Sequence, residues 1–314
     1  MSDAVSDRRG VTILGIYVTD LAFRAGSMPA IGETVAGSAF AMGPGGKGSN
    51  QAIAAARAGA RVSFISRVGR DSFGDGALAL WRAEGIESLV QQDANDATGA
   101  AFIYVNEQTG ENAIIVAPCV AMKIDRSDVQ AAAGHIASAA VFMTQLEQSA
   151  QAALLGLEIA RAADTLTIFN PAPALPFEES VYRLCDFITP NEHEAAALTG
   201  LAVNSVAQAR LAGDVLLDKG VGCAVITLGE QGVLLHSRAQ SVHIAALRAG
   251  TVVDTAGAGD AFNGGFAAAL AEGKSALEAA RFGNAVAALS VTRAGTAPAM
   301  PRRGEVLSLL DGKP

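Results

Sequence analysis

The chain has 314 residues, 50% of them apolar and 17% charged, enough to bury a large core. A formal net charge of −8 and a pI of about 5.1 provide no basic field for nucleic acid or an anionic membrane surface, so a phosphate-bearing ligand must be met by local charge. Three cysteines, Cys119, Cys185 and Cys223, are spaced for neither a disulfide framework nor a zinc site and read as reduced thiols. Residues 1–10 are polar, with Asp3, Asp7, Arg8 and Arg9, and lack a signal core; no later apolar run reaches membrane-spanning length, so a cytoplasmic protein is expected.

In chain order, an apolar run at 11–16 predicts the first strand. The stretch 17–42 reads as antiparallel and ends in Gly43-Pro44-Gly45-Gly46-Lys47-Gly48-Ser49-Asn50-Gln51, which leads into a helix at 50–60 and a strand at 61–68. A second antiparallel stretch lies at 97–117, where 101–106 and 112–116 flank the turn-forming segment 107–111. Strands at 139–144, 165–170, 187–189 and 223–228 then alternate with alanine-rich helices, and Ser275 with Glu278 forms a capping box opening a helix at 275–293. This alternation predicts an α/β fold with a parallel sheet covered on both faces. The two antiparallel stretches are each too small to fold alone. They are expected to pair as one small sheet, a lid formed by about 17–42 and 97–117 on a single domain spanning 1–314. Two ordinary edge hairpins are the alternative.

The strongest chemical signal is Val252-Val253-Asp254-Thr255-Ala256-Gly257-Ala258-Gly259-Asp260-Ala261-Phe262, an apolar run meeting a glycine-rich turn and then a helix. Small residues at Gly257, Ala258 and Gly259 let backbone N–H groups converge at a helix N-terminus, where negative charge is favoured. Asp260 falls in the first turn beside them. Phosphoryl transfer to an alcohol needs a carboxylate there, to orient the hydroxyl and accept its proton. The plain alternative is a helix cap, although Asp254, six residues upstream, has no capping duty.

The segment around Lys47 fails as a Walker A loop, because Ala41 and Gly48 stand where glycine and Ser or Thr are required. Gly43, Gly45 and Gly48 do match a dinucleotide fingerprint, with Asp71 further on, and support a rival NAD-dependent oxidoreductase. That turn should follow the first strand, and here it does not. Glycines that let a hydroxylated ligand approach the backbone, with Lys47 and Asn50 as polar partners, explain the same residues.

With both glycine motifs in view, the chain resembles the ribokinase-like (PfkB) family of carbohydrate kinases from about residue 11 to 301. Gly45 to Gln51 is similar to the family's first signature, and Asp254 to Gly264 to its second, which holds the catalytic aspartate. Leu146-Glu147, Asn170-Pro171-Ala172-Pro173, Thr189-Pro190-Asn191-Glu192-His193-Glu194 and Thr227-Leu228-Gly229 resemble further blocks at strand C-terminal ends. The resemblance implies a three-layer sandwich with a mainly parallel central sheet and a small β-sheet lid. It also implies ATP-dependent phosphorylation of a sugar hydroxyl with Asp260 as base.

The resemblance further implies that Asp20, Gly46, Lys47, Asn50 and Glu147 grip sugar hydroxyls. Asn191 and Glu194 would lie by the ATP phosphates and Mg2+, Glu194 acting through water; Thr227, Gly229, Gly259 and Asn284 would lie by the nucleotide. Asp254 and the Ala256 carbonyl, with Val291, Ala294 and Thr296 opposite, match a K+ site, and a homodimer through the lid is implied. Physically, several carboxylates at a phosphate site need metal cations and oriented amides to offset them. Other readings stay open: Glu194 as a complement to its helix dipole, Lys47 as a loop charge, Asn50 as a cap.

Two positions depart from the ribokinase pattern. Val18 stands where ribokinases usually carry asparagine, and Pro118-Cys119-Val120 replaces Gly-Ala-Asn. Valine cannot hydrogen-bond a hydroxyl, so the sugar side is altered while the catalytic turn is intact. Ribose is the first expectation; deoxyribose, another pentose or ketose, or a nucleoside follows. A non-catalytic sugar-binding relative would lack the base, and Asp260 is present.

Overall fold

Successive strand residues point to opposite faces, so Ile13-Leu14, Phe64-Ile65 and Phe142-Met143 can be buried only if both faces of their sheet are covered. In the computed structural model, which describes residues 10–312, all of these side chains are fully buried. The polar segment before Gly10, read above as lacking a signal core, lies outside the described residues.

The chain forms β1 (Val11–Leu14), β2 (Val18–Ala25), β3 (Ala39–Gly45), α1 (Lys47–Arg57), β4 (Val62–Gly69), α2 (Ser72–Ala83), β5 (Glu87–Asp93), β6 (Thr98–Asn106) and β7 (Asn112–Cys119). Next come α3 (Arg126–Ala131), α4 (Ala133–Ser138), β8 (Val141–Thr144), α5 (Ala150–Ala162), β9 (Leu166–Phe169), α6 (Ser180–Leu184), β10 (Phe187–Ile188), α7 (Glu192–Thr199) and α8 (Val206–Asp218). The last part holds β11 (Cys223–Thr227), β12 (Val233–Ser237), β13 (Ser241–Ile244), α9 (Ala258–Ala271), α10 (Ala276–Ser290) and α11 (Arg303–Leu310).

The large sheet has nine strands in the order β13-β12-β11-β10-β9-β8-β1-β4-β5. It is parallel from β11 to β5 and antiparallel only at β12 and β13. Helices α1, α2 and α9 to α11 cover one face over Ile13, Phe64 and Met143, and α3 to α8 cover the other over Leu14, Ile65 and Phe142. Strand order reverses between β1 and β8, which makes a crevice at the carboxyl ends of the strands there. Expected strands end early at this edge: Ile16, Asn170, Thr189 and Leu228 leave their ladders and turn toward the crevice. Strand β5, Glu-Ser-Leu-Val-Gln-Gln-Asp, was not expected, because an edge strand paired on one side needs little apolar alternation.

The stretches 17–42 and 97–117 supply a second sheet, ordered β3-β2-β6-β7. Each hairpin is antiparallel, but the central pair β2 and β6 is parallel. The reason is that β1 and β5, which feed them, run the same way in the large sheet. At its root the Asp71 carboxylate accepts from Thr98 N at 2.7 Å, Thr98 Oγ1 at 2.8 Å and Gly74 N at 2.8 Å, tying β6 to the start of α2. Phe40, Met42 and Ile115, which the register places on the same side with Phe23, leave one face of this sheet apolar and more than half exposed at those three positions. Among the described residues no helix is long and apolar enough to cross a membrane.

Candidate active site

Two glycine turns aim helices at the crevice. Gly46 has φ 87°, and a Cβ there would lie 2.6 Å from the Ile16 carbonyl oxygen and 2.9 Å from Tyr17 Cα. Only glycine allows that turn, and α1 therefore begins at Lys47, earlier than the expected 50. Lys47, Asn50 and Gln51, at i, i+3 and i+4, share the face toward the crevice. The second turn ends at Gly257, φ 73°, and α9 starts at Ala258. A Cβ on Gly259 would meet nothing within 4 Å, so the first amides of α9 face open space.

Asp260 sits in that first turn, 7% exposed, yet it does not cap its own helix. Asn50 Nδ2 donates to its Oδ2 at 3.1 Å and Gln51 Nε2 to its Oδ1 at 3.0 Å. Asn50 likewise leaves its own helix uncapped. Burial raises the Asp260 carboxyl above the ordinary carboxylate range, opposed by the Lys47 ammonium and the two amide donors. The nearby Asp260 charge in turn raises Lys47.

Glu147, just past β8, accepts from Lys47 N at 2.7 Å. Burial pushes it to about 7 against the pull of Lys47, and burial pushes Asp20, on β2, to about 6. The Asp20 carboxylate occupies the space a side chain at Gly45 would need. Asp20, Glu147 and Asp260 with one lysine form an acceptor-rich patch, suited to neutral hydroxyl donors rather than to an anion.

Next to it a cleft of about 160 Å³ is lined by Lys47, Asn191, Glu194, Thr227, Gly257 and Asp260, among others. Glu194 is buried, with a raised pKa caused by burial, and forms a capping box with Asn191 through two 2.8 Å bonds. It thus serves its helix dipole and faces the cleft at once. Gly229, φ 52°, opens the turn after β11, while Asn284 lies outside the cleft lining and donates to the Ala245 carbonyl at 2.8 Å.

The Asp254 carboxylate accepts from Ala256 N and Gly295 N, each at 2.9 Å, joining the Gly257 turn to the loop that holds Ala294 and Thr296. The Val291 carbonyl accepts from Val253 N and Asp254 N, which ties the end of α10 to the segment before the Gly257 turn. Thr296 Oγ1 donates to the Pro44 carbonyl at 2.9 Å, linking this loop to the first glycine segment. Among the described residues no three His, Cys, Asp or Glu side chains form a metal cage.

Sequence reading missed Gln51, Gln145, Thr189 and Asn263. Thr189 Oγ1 donates to Asn263 Oδ1 at 2.6 Å, and Asn263 Nδ2 to the Gly259 carbonyl at 2.9 Å, bracing the turn from β10. Gln51 was discoverable from its helical spacing to Lys47. Gln145 carried no local signal. Gly43 and Gly45 lie on β3, an antiparallel strand of the small sheet, so they do not form the strand-to-helix turn of a dinucleotide site. Val18 is buried in the same apolar cluster as Ile16 and Ala101, paired to Gly45 and Gly99 at the root of the small sheet.

A sequence profile of the pfkB family carbohydrate kinases matches residues 8–303. The chain is 38% identical to the ribokinase of Haemophilus influenzae over 305 residues, covering 97% of this chain and 99% of that one. It is 34% identical to the deoxyribokinase of Salmonella typhi over 304 residues, covering 95% and 99% respectively. The structure of Arabidopsis thaliana ribokinase complexed with ribose and ATP matches with a TM-score of 0.90 at 28% identity, over 96% of this chain and 99% of that one.

Proposed function

The chain belongs to the pfkB family of carbohydrate kinases, and from that premise we propose that it moves the terminal phosphate of ATP onto a hydroxyl of ribose or 2-deoxyribose, with Asp260 as base. The observation that carries the reading is the Asp260 carboxylate, turned away from its own helix and held by Asn50 and Gln51 beside Lys47 and the glycine amides.

As the sugar oxygen forms its bond to phosphorus, its proton passes to Asp260 and the bond from phosphorus to the ADP oxygen breaks. The amides of Gly257, Ala258 and Gly259 hold the charge of the transferring group. Asp20 and Glu147 accept hydrogen bonds from sugar hydroxyls, with Gly46, Lys47 and Asn50 completing that side. Asn191, Thr227, Gly229 and Asn284 serve the nucleotide side. The residues fit magnesium: Glu194 is a buried carboxylate facing the cleft, and Mg2+ usually keeps several waters and takes one or two carboxylates. When bound, the metal supplies the positive charge that offsets the phosphates. An acidic, thiol-bearing chain suits a reducing cytoplasm.

Asp254 with the Ala256 carbonyl, and Val291, Ala294 and Thr296 opposite, form the proposed K+ site. Turnover in sodium buffer is expected to rise on adding potassium; an unchanged rate removes that site and leaves the kinase reading standing. The exposed apolar face of the small sheet supports a homodimer through it, and Ile115→Asp is expected to shift the sedimentation coefficient to that of a monomer.

The buried, apolar Val18 supports a sugar site that tolerates loss of a hydroxyl. We expect kcat/KM on 2-deoxyribose to rival that on ribose when both are assayed with the same ATP. A strong preference for ribose would sink this reading of Val18.

A further inference from the structure

The amide that holds Asp260 is itself oriented from behind the cleft. The backbone carbonyl of Thr189 can only accept. Asn170 therefore turns Nδ2 to it, at 2.8 Å, and leaves Oδ1 facing Gln51. Gln51 Nε2 donates to Asn170 Oδ1 at 3.1 Å and to Asp260 Oδ1 at 3.0 Å, which sends Gln51 Oε1 to the opposite side. There it accepts from Gln145 Nε2. Both glutamines are fully buried, so no bulk water replaces a lost partner. Gly15 must be glycine at this point, because a Cβ would run into the Gln145 amide and Gly48.

Rotating the Gln51 amide by half a turn would set its oxygen against the oxygens of Asp260 and Asn170. The Gln145 donor makes that rotation costlier still. We propose that Gln145 is a positioning residue for phosphoryl transfer: by donating to Gln51 it keeps the Gln51 amide protons on Asp260 and holds that carboxylate as an ionised proton acceptor. The inference rests on Asp260 being the base. The other groups facing Asp260 are Asn50 and Lys47 from α1, Glu147 from the turn after β8 and Glu194 from α7, and substitution at Gln145 leaves all of them in place.

Gln145→Met keeps length and removes the donor. Gln145→Glu keeps shape but offers acceptors, so Gln51 must turn its amide protons to the introduced carboxylate and its oxygen to Asp260. We expect kcat to fall about 10-fold in the first and about 100-fold in the second, with sugar and ATP KM within about two-fold. The acid limb of the kcat pH profile is expected to move to higher pH in both, since losing a donor to the ionised form makes Asp260 easier to protonate. A lower Tm with an unmoved limb and unchanged kcat overturns the proposal.

Should either variant not fold, the wild-type protein answers by NMR of 15N-labelled glutamine side chains. The Gln51 and Gln145 amides are expected to titrate together, and Asp260→Asn to abolish the titration of both. Gln51 titrating while Gln145 stays fixed overturns the coupling. An Asp260→Asn protein with wild-type kcat instead removes the base assignment, and the amide titration remains readable on its own.

Discussion

Asp260→Asn is expected to lower kcat by roughly 10²- to 10⁴-fold while sugar and ATP binding stay almost unchanged. The substitution keeps the side chain's shape and removes the ionised oxygens that accept the hydroxyl proton. The helix should survive it, because α9 takes no cap from Asp260; the carboxylate is bonded across to Asn50 and Gln51 on α1. Asn50 Nδ2 and Gln51 Nε2 both donate, so the introduced amide satisfies only one of them, a local cost that unfolding curves would register as a small loss of stability. Equal damage to KM and kcat would instead make Asp260 a structural residue.

Gly46→Ala is expected to cost about 3 kcal/mol of stability and to raise the sugar KM more than about ten-fold. A methyl at φ 87° is strained before any contact is counted, and it also meets the Ile16 carbonyl oxygen and Tyr17 Cα at 2.6 and 2.9 Å, both of them backbone atoms that cannot swing aside. The α1 N-terminus would have to move, carrying Lys47 and Asn50 with it. Gly259→Ala provides the contrast: its Cβ meets nothing within 4 Å, so folding should be untouched while the space before the α9 amides is narrowed and ATP turnover falls. Denaturant unfolding and steady-state kinetics on the two proteins separate these effects. Equal stability for Gly46→Ala and wild type would contradict the account of the first turn.

What the sequence made legible was what is local. A glycine-rich turn followed by a helix is written in consecutive residues, so the turns at Gly46 and Gly257 and the place of Asp260 were readable in advance, as was the capping box of Ser275 and Glu278. Strands buried on both faces announce themselves by apolar residues at consecutive positions, as at Ile13-Leu14 in β1, Phe64-Ile65 in β4 and Phe142-Met143 in β8. The edge strand β5 did not, because one side of it is left to solvent. Nor was the parallel pairing of β2 with β6 readable, since it is set by the direction in which β1 and β5 leave the other sheet.

The site shows the same division. Gln51 meets Asp260 across 209 positions, and Gln145 meets Gln51 across 94, contacts that only the fold creates. The dinucleotide pattern at Gly43, Gly45 and Gly48 illustrates the opposite error, a correct spacing on the wrong element, because β3 is an antiparallel strand.

The central claim is sugar-dependent phosphoryl transfer from ATP at Asp260. Its most direct test is ATP consumption by the purified protein with magnesium and potassium across pentoses, 2-deoxyribose, ketohexoses and nucleosides, with Asp260→Asn in parallel. The account predicts ADP formation that requires ribose or 2-deoxyribose and is nearly lost in the variant; no turnover with any acceptor, together with no binding of ATP, would contradict it.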